Sequence, residues 1–329
     1  TSGWNVSLSS DGSRVAISGW NNDGNGTNSG HVRVFQYQVI SGTATWTQLG
    51  ADIDGEAAND SFGTGLTLSS DGSRVAIGAA ANDGNGSDSG HVRIYDYNGS
   101  AWVQVGGDID GEAAGDRSGR TLSLSSDGSR VAIGGFLNDA GGDDAGHVRI
   151  YDYNGSAWVQ VGGDIDGEAA GDRSGGSVSL SSDGSRVAIG ADRNDAGGDN
   201  AGHVRIYDYN GSAWVQVGAD IDGEAAGDIS GRPVSLSSDG SRVAIGGPDN
   251  DGNGSDSGHV RVYSISSGES YQYTWDIDSG STPPSGTYYA TVSGTTVATG
   301  GAYSGTESIT FTLDTTAPTV TLTSTDIDN

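Results

Sequence analysis

Short runs of alternating apolar and polar residues recur along this chain, and each run is closed by a turn signal. In Gly65-Leu66-Thr67-Leu68-Ser69 the apolar side chains fall on every second position, the period of a strand with one face buried. Ser70-Asp71-Gly72-Ser73 follows, and Asp-Gly is a strong hairpin signal because both residues tolerate positive φ. Arg74-Val75-Ala76-Ile77-Gly78 is a second strand, and the polar loop ANDGNGSDSG runs from there to Gly90. His91–Tyr97 is a third strand, Asn98-Gly99 a second hairpin turn, and Ala101–Val105 a fourth strand. The segment Asp108-Ile109-Asp110-Gly111-Glu112 leads onward.

This pattern is a repeat. DGSRVAI begins at Asp11, Asp71, Asp127, Asp183 and Asp239, a first step of 60 residues and then steps of 56. The first unit carries its extra residues near Ile40-Ser41-Gly42-Thr43, in a lengthened hairpin. Four strands per unit exceed a solenoid coil of roughly 20–29 residues. They match the blade of a β-propeller, a four-stranded sheet set radially around an axis. One such sheet buries too little surface to stand alone. The recurring Trp46, Trp102, Trp158 and Trp214, with Tyr37, Tyr97, Tyr153 and Tyr209, are therefore expected to join neighbouring blades, an aromatic sugar platform being the alternative. The expected fold is all-β: a propeller of five four-stranded repeats over residues 1–265.

Composition changes after about Ser266. Three of the five prolines lie there and no base does. Strands are expected at 271–277, 287–293, 308–313 and 319–323. This tail is read as an Ig-like β module over 266–316, with 317–329 opening a further one.

The order SFG, VAIGA, GHVRIYDY resembles the FG-GAP repeat of integrin-type propellers, with Phe62-Gly63, Gly78-Ala79 and Gly90-His91-Val92 carrying the match. Phe stands at that point in the second unit alone; the others read Ser-Gly, as at Ser118-Gly119. The family's calcium loop between first and second strands is replaced by the short Ser-Asp-Gly-Ser turn, so its metal site does not transfer. Family propellers commonly have seven blades, so either five close by themselves or further copies lie upstream. The tail strings PPSGTYYATVSGT and ESITFTLDTTAPTVTLT resemble bacterial Ig-like modules of large surface adhesins. That resemblance implies a non-enzymatic adhesion module, extracellular at the bacterial surface, with a glycan or protein ligand and neighbouring modules of one long chain as partners. A structural spacer without a ligand is the alternative reading.

Charge narrows the partners. Fifteen basic residues, all Arg, stand against 43 acidic ones, a net charge of −28. Such a surface repels nucleic acid and anionic membranes, and no apolar run approaches the 18 or so residues of a membrane helix. The chain has neither Cys nor Met, so rigidity must come from packing or metal.

Four sets of residues carry candidate chemistry. The loop between second and third strands alternates oxygen side chains with glycine, a pattern suited to Ca2+ or to a plain Asx turn. Its candidate ligands are Asp23, Asn25, Asp83, Asn85, Asp88, Asp139, Asp143, Asp195, Asp199, Asp251, Asn253 and Asp256. The DIDGE connector supplies Asp52, Asp54 and Glu56 and their copies; repetition favours a structural connector, with cation binding as the alternative and no catalytic pair. The five histidines, His31, His91, His147, His203 and His259, are expected to be satisfied by hydrogen bonds within their blades. Trp20, Phe136, Leu137 and Arg193 fall where the copies vary and are the expected partner contacts. No catalytic constellation stands out.

Overall fold

The computed structural model describes residues 2–266, 269–271, 286–298 and 301–313, the last three segments by their strands alone. Two compact units divide at Tyr273 and Thr274. The first holds five antiparallel sheets in chain order, one per repeat. In the second repeat the strands are Phe62–Leu68, Arg74–Ala79, His91–Tyr97 and Trp102–Gln104. The DIDGE connector adds a strand that the sequence pattern hides. Ile109–Asp110 pairs with the start of the third strand, Ile109 opposite Val92 and Asp110 opposite His91. Four of the five sheets therefore have five strands. In the second unit the described residues form one antiparallel hairpin, Gly286–Ala298 with Gly301–Leu313. The expected strand at 319–323 and the module opening at 317–329 lie outside the described residues, and the expected Ig-like sandwich is not among them.

The core sits between repeats rather than inside any one. Val92 and Ile94 of the second repeat are buried in one cluster with Leu124, Val131 and Ile133 of the third. The same packing joins the third repeat to the fourth and the fourth to the fifth. At about 25 cal/mol per Å2 of apolar area, these junctions stabilise sheets that would not persist singly.

Polar bonds fix the spacing of the junctions. Trp102, Trp158 and Trp214 each donate an indole N–H to the preceding repeat, to the carbonyls of Leu49, Val105 and Val161, all at 2.9 Å. Arg74 holds Asp96 of its own repeat through Nε and Nη2 at 2.6 and 2.7 Å. Its Nη1 donates to the Gly128 carbonyl of the next repeat, and its guanidinium lies over the Tyr153 ring. Arg130 and Arg186 repeat these bonds. The aromatic role expected from the repeat is thus a junction role, and Arg74, Arg130 and Arg186 share it.

Candidate functional site at the repeat junctions

The two ends of the sheets differ in chemistry. At one end the Ser-Asp-Gly-Ser turns of four successive repeats line a cavity of about 640 Å3 with Ser10, Ser70, Ser126, Ser182 and Asp11, Asp71, Asp127, Asp183. Here each carboxylate is spent on its own turn. Asp127 Oδ1 accepts from Ser125 Oγ at 2.7 Å and from the Ser129 amide at 2.9 Å. Asp11 is lowered to about 2, chiefly by the Ser13 amide and then by Ser9.

At the other end, acids and histidines converge. Among the described residues, four groups bring one ligand atom per residue within 4.8 Å of one another: His31 with Asp52 and Asp54; Glu56, His91 and Asp108; Glu112, His147 and Asp164; Glu168, His203 and Asp220. Local structure explains the convergence. The connector strand Ile165–Asp166 pairs with the start of the third strand, His147 opposite Asp166, which brings Asp164 beside His147. Glu112 arrives from the preceding connector, anchored where the Gly111 amide donates to the Gly90 carbonyl at 2.8 Å. Each such group of Glu, His and Asp therefore straddles a junction.

His31, His91, His147 and His203 are buried, and at His147 and His203 the hydrogen bonds expected from sequence are missing. His147 is 0% exposed, and neither of its ring nitrogens has a hydrogen-bond partner; the same holds for both nitrogens of His203. Such orphaned groups are costly. Nε2 of His147 is closed off: a Cβ at Gly135 would lie 2.7 Å from it. Nδ1 faces the acids, 3.7 Å from Glu112 Oε2. Burial, then Arg149, lowers the His147 pKa, keeping the imidazole neutral and able to act as a ligand.

One arginine decides how open each group is. In the second repeat Arg93 donates to both oxygens of Asp108, at 3.0 and 2.9 Å, and also pairs with Glu56. Its guanidinium already supplies the cation. Burial would raise Asp108, but the bonds from Arg93 and Gln104 outweigh it and lower its pKa. Arg33 occupies Asp52 in the same way. In the third and fourth repeats the arginine turns aside: Arg149 Nη2 donates to the Asp110 carbonyl at 2.7 Å and Arg205 Nη2 to that of Asp166 at 2.6 Å. Asp164 then keeps Gln160 as its partner, at 2.5 Å, and Arg149 approaches Glu112 no closer than 3.5 Å.

Glu112, His147 and Asp164 fit a divalent cation. A neutral imidazole nitrogen and two carboxylates are the donors of a borderline ion such as Zn2+ or Mn2+ and leave a position open. Their ligand atoms already lie within 4.8 Å of one another, and Glu112 is exposed. Asp164 also lines a cleft of about 350 Å3, with Asp166 on the same repeat and Tyr207 and Trp214 on the next. That volume suits a small ligand.

The loop residues expected to hold Ca2+ lie elsewhere, and several bond within the loop or to the connector. Asp23, Asp83, Asp139, Asp195 and Asp251 each accept from the amide five residues on, at 2.7–2.9 Å. Asn25 and Asn85 donate to the carbonyls of Gly55 and Gly111. Asp88 and Asp256 hold positive φ of 53° and 50°, where Asp is tolerated. Asp143 accepts through its backbone carbonyl from Gly171, as Asp199 does from Gly227. Of the expected partner contacts, Phe136 is buried beneath Arg120, 4.7 Å from ring centre to guanidinium. Leu137 is half-buried, Trp20 packs on Trp4, and Arg193 is exposed. Sequence reasoning named DIDGE as a cation-binding alternative but did not join it to the histidines, because the glutamate of each Glu, His and Asp group comes from the preceding repeat; the shared DIDGE and HVR strings were the available signal.

No known family and no curated protein matches the chain. Solved structures do. The periplasmic gluconolactonase of Pseudomonas aeruginosa is 16% identical, with a TM-score of 0.51 over 87% of this chain and 74% of that one. A protein assigned as a 6-phosphogluconolactonase from Bacteroides uniformis is 13% identical over 81% and 82%, TM-score 0.46. The β-propeller domain of a protease from Pyrococcus furiosus is 12% identical over 94% and 82%, TM-score 0.41. At these identities the likeness shows the fold, which is of the β-propeller type. It also corrects the expectation of a non-enzymatic adhesion module or spacer. The neighbour with a TM-score above 0.5 is a gluconolactonase, and no FG-GAP or Ig-like family model matches the chain.

Proposed function

We propose that this chain is a cation-assisted hydrolase of small oxygen-rich esters, with sugar lactones as the substrate class, and that the junction of the second and third repeats carries its centre. One observation carries the reading: a buried, unpartnered His147 faces Glu112 and Asp164, and Asp164 also borders the cleft walled by Tyr207 and Trp214. The substrate class comes from the named activity of the Pseudomonas aeruginosa protein, whose fold this chain shares.

A divalent ion held there supplies Lewis acidity toward a carbonyl oxygen and lowers the pKa of water. The chain's residues do the rest. His147, fixed by burial, and Asp164, oriented by Gln160, are the ligands we assign, with Glu112 closing from the preceding repeat. The Trp214 ring gives a sugar ring a flat apolar wall. Asp166, on the same wall, is the group we assign to take the proton of the attacking water. Water oxygen adds to the lactone carbonyl, the ring C–O bond breaks, and its oxygen leaves protonated as the hydroxyl of a hydroxy acid.

The test is acid release from gluconolactone, followed at constant pH above the spontaneous rate, with protein stripped by chelator and reloaded with Zn2+, Mn2+ or Ca2+. Hydrolysis restored by an ion and lost in Asp164→Asn and Asp166→Asn, with circular dichroism unchanged, is the expected outcome. A rate at the spontaneous level with every ion would overturn the reading.

A further inference from the structure

Ten of the fifteen arginines recur in every repeat, in the DGSRVAI and HVR strings. The other five, Arg117, Arg120, Arg173, Arg193 and Arg232, break the repeat. Counted from DGSRVAI, the second repeat carries Ser61, Thr64 and Ala81 at the places held by Arg117, Arg120 and Arg193.

These arginines converge. Arg120 keeps an exposed edge, yet burial of its guanidinium, then Arg232 and Arg117, lower its pKa; Arg173 adds to them and Asp192 opposes them. Three arginines from the third, fourth and fifth repeats thus lie close enough to act on a fourth. The Arg193 amide donates to the Asp172 carbonyl at 3.3 Å, which joins its loop to the turn of Arg173.

Their donors are not spent on the fold. Arg74 and Arg93 hold carboxylates at 2.6–3.0 Å. By contrast Arg232 stays 3.6 Å from Asp192, and Arg173 stays 3.8 Å from Asp144. Among the described residues the guanidinium groups of Arg117, Arg120 and Arg193 have no hydrogen-bond or salt-bridge partner. The acids next to them in sequence are taken. Asp116 accepts from Asn138 Nδ2 at 3.1 Å and from the Ala113 amide at 2.9 Å; Asp172 accepts from Asn194 Nδ2 at 3.0 Å and from the Ala169 amide at 3.1 Å. Phe136 covers one face of Arg120, 4.7 Å from ring centre to guanidinium. A ring steadies a guanidinium and uses none of its N–H donors. The fourth repeat has Gly176 where the third and fifth have Arg120 and Arg232, so no side chain stands at that point between them.

We propose that Arg117, Arg120, Arg173 and Arg232 form a binding site for a small doubly charged oxyanion, a phosphate monoester or a dicarboxylate. Planar forks with free N–H edges match such oxygens in pairs. The ligand is small because a chain of net charge −28 repels a long polyanion. The site does not rest on the hydrolase reading, and the third and fourth repeats that hold most of it are each flanked by described repeats.

The test is isothermal titration of the intact chain with inorganic phosphate and with malonate at constant ionic strength, after chelator has removed any metal ion that could hold the anion. One saturable site is expected for at least one probe, weakened by added sodium chloride. Arg120→Thr and Arg232→Gln should each weaken it about ten-fold. Circular dichroism should stay unchanged, since the second repeat already carries Thr64 in the place of Arg120. Arg242→Gln, beside the Ser-Asp-Gly-Ser turn at the opposite end of its sheet, should leave the affinity unaltered. Phosphate bound alone would identify the ligand as a phosphate ester, and malonate alone as a dicarboxylate. No saturable binding of either probe would overturn the proposal. So would equal weakening by Arg242→Gln, because binding would then follow net charge alone.

Discussion

The second and third repeats carry the same heptapeptide, HVRIYDY, at 91–97 and 147–153. Both set a buried histidine against a glutamate from the preceding connector and an aspartate from their own. Yet Arg93 lies across Asp108 and Glu56, while Arg149 turns to the Asp110 carbonyl and leaves Asp164 to Gln160. Identical strands thus give one centre neutralised internally and one left with negative charge and an unpartnered imidazole. What separates a structural ion pair from a candidate cation site is a single side-chain direction, chosen by the junction rather than by the strand.

The largest effect tests whether the junctions are otherwise equal. Trp102→Ala and Trp158→Ala each remove a junction ring and its bond to a carbonyl. Each should cost about 3 kcal/mol in a denaturant titration. Unequal costs would mean that the junctions differ in more than the arginine. Next in size, Arg93→Ala should free Glu56 and Asp108, and isothermal titration with Zn2+ should register one further ion bound about ten-fold more tightly than the native second repeat allows, near 1.4 kcal/mol. Asp164→Asn should lose the ion at the third repeat, and the matching Asp108→Asn should change little. Affinity unchanged by Arg93→Ala would break the comparison.

A smaller effect concerns how the chain enters each sheet. Ser61, Arg117, Arg173 and Ile229 occupy equivalent positions with φ of 57°, 53°, 58° and 55°. A β-branched side chain is the poorest fit to that conformation. Ile229→Gly should therefore raise stability by about 1 kcal/mol, and Ser61→Gly by less, measured as denaturant midpoints.

The smallest effect is acid lability. Asp71 and Asp127 have pKa values below the ordinary 3.8: burial would raise them, but the amide and hydroxyl bonds of the turn outweigh it. A carboxylate lowered on folding contributes stability that is complete above its unfolded value and is lost as pH falls through its folded one. Melting temperature should hold from pH 7 to about 4 as far as these groups are concerned and then drop. Asp71→Asn and Asp127→Asn should soften that drop equally, since the two turns make the same bonds.

Much of the fold was legible along the chain. Period-two alternation between Asp-Gly and Asn-Gly turns marks Arg74–Ala79 and His91–Tyr97 because strand pairing across a short turn is local. The two-residue strand Ile109–Asp110 was not legible, since its partner lies many residues back and two residues show no period. The site was legible only as parts. Asp83 and Asn85 carry oxygens that turn chemistry and calcium chemistry both use; in the fold Asp83 Oδ1 accepts from the Asp88 amide and Asn85 Nδ2 donates to the Gly111 carbonyl.

By itself the sequence determined the repeat, its strands and its turns, for these follow from side-chain periodicity and from residues that tolerate positive φ. Only the tertiary structure decided which acids meet which histidine and which arginine stands between them. Those outcomes depend on contacts between repeats, where identical strings meet different neighbours.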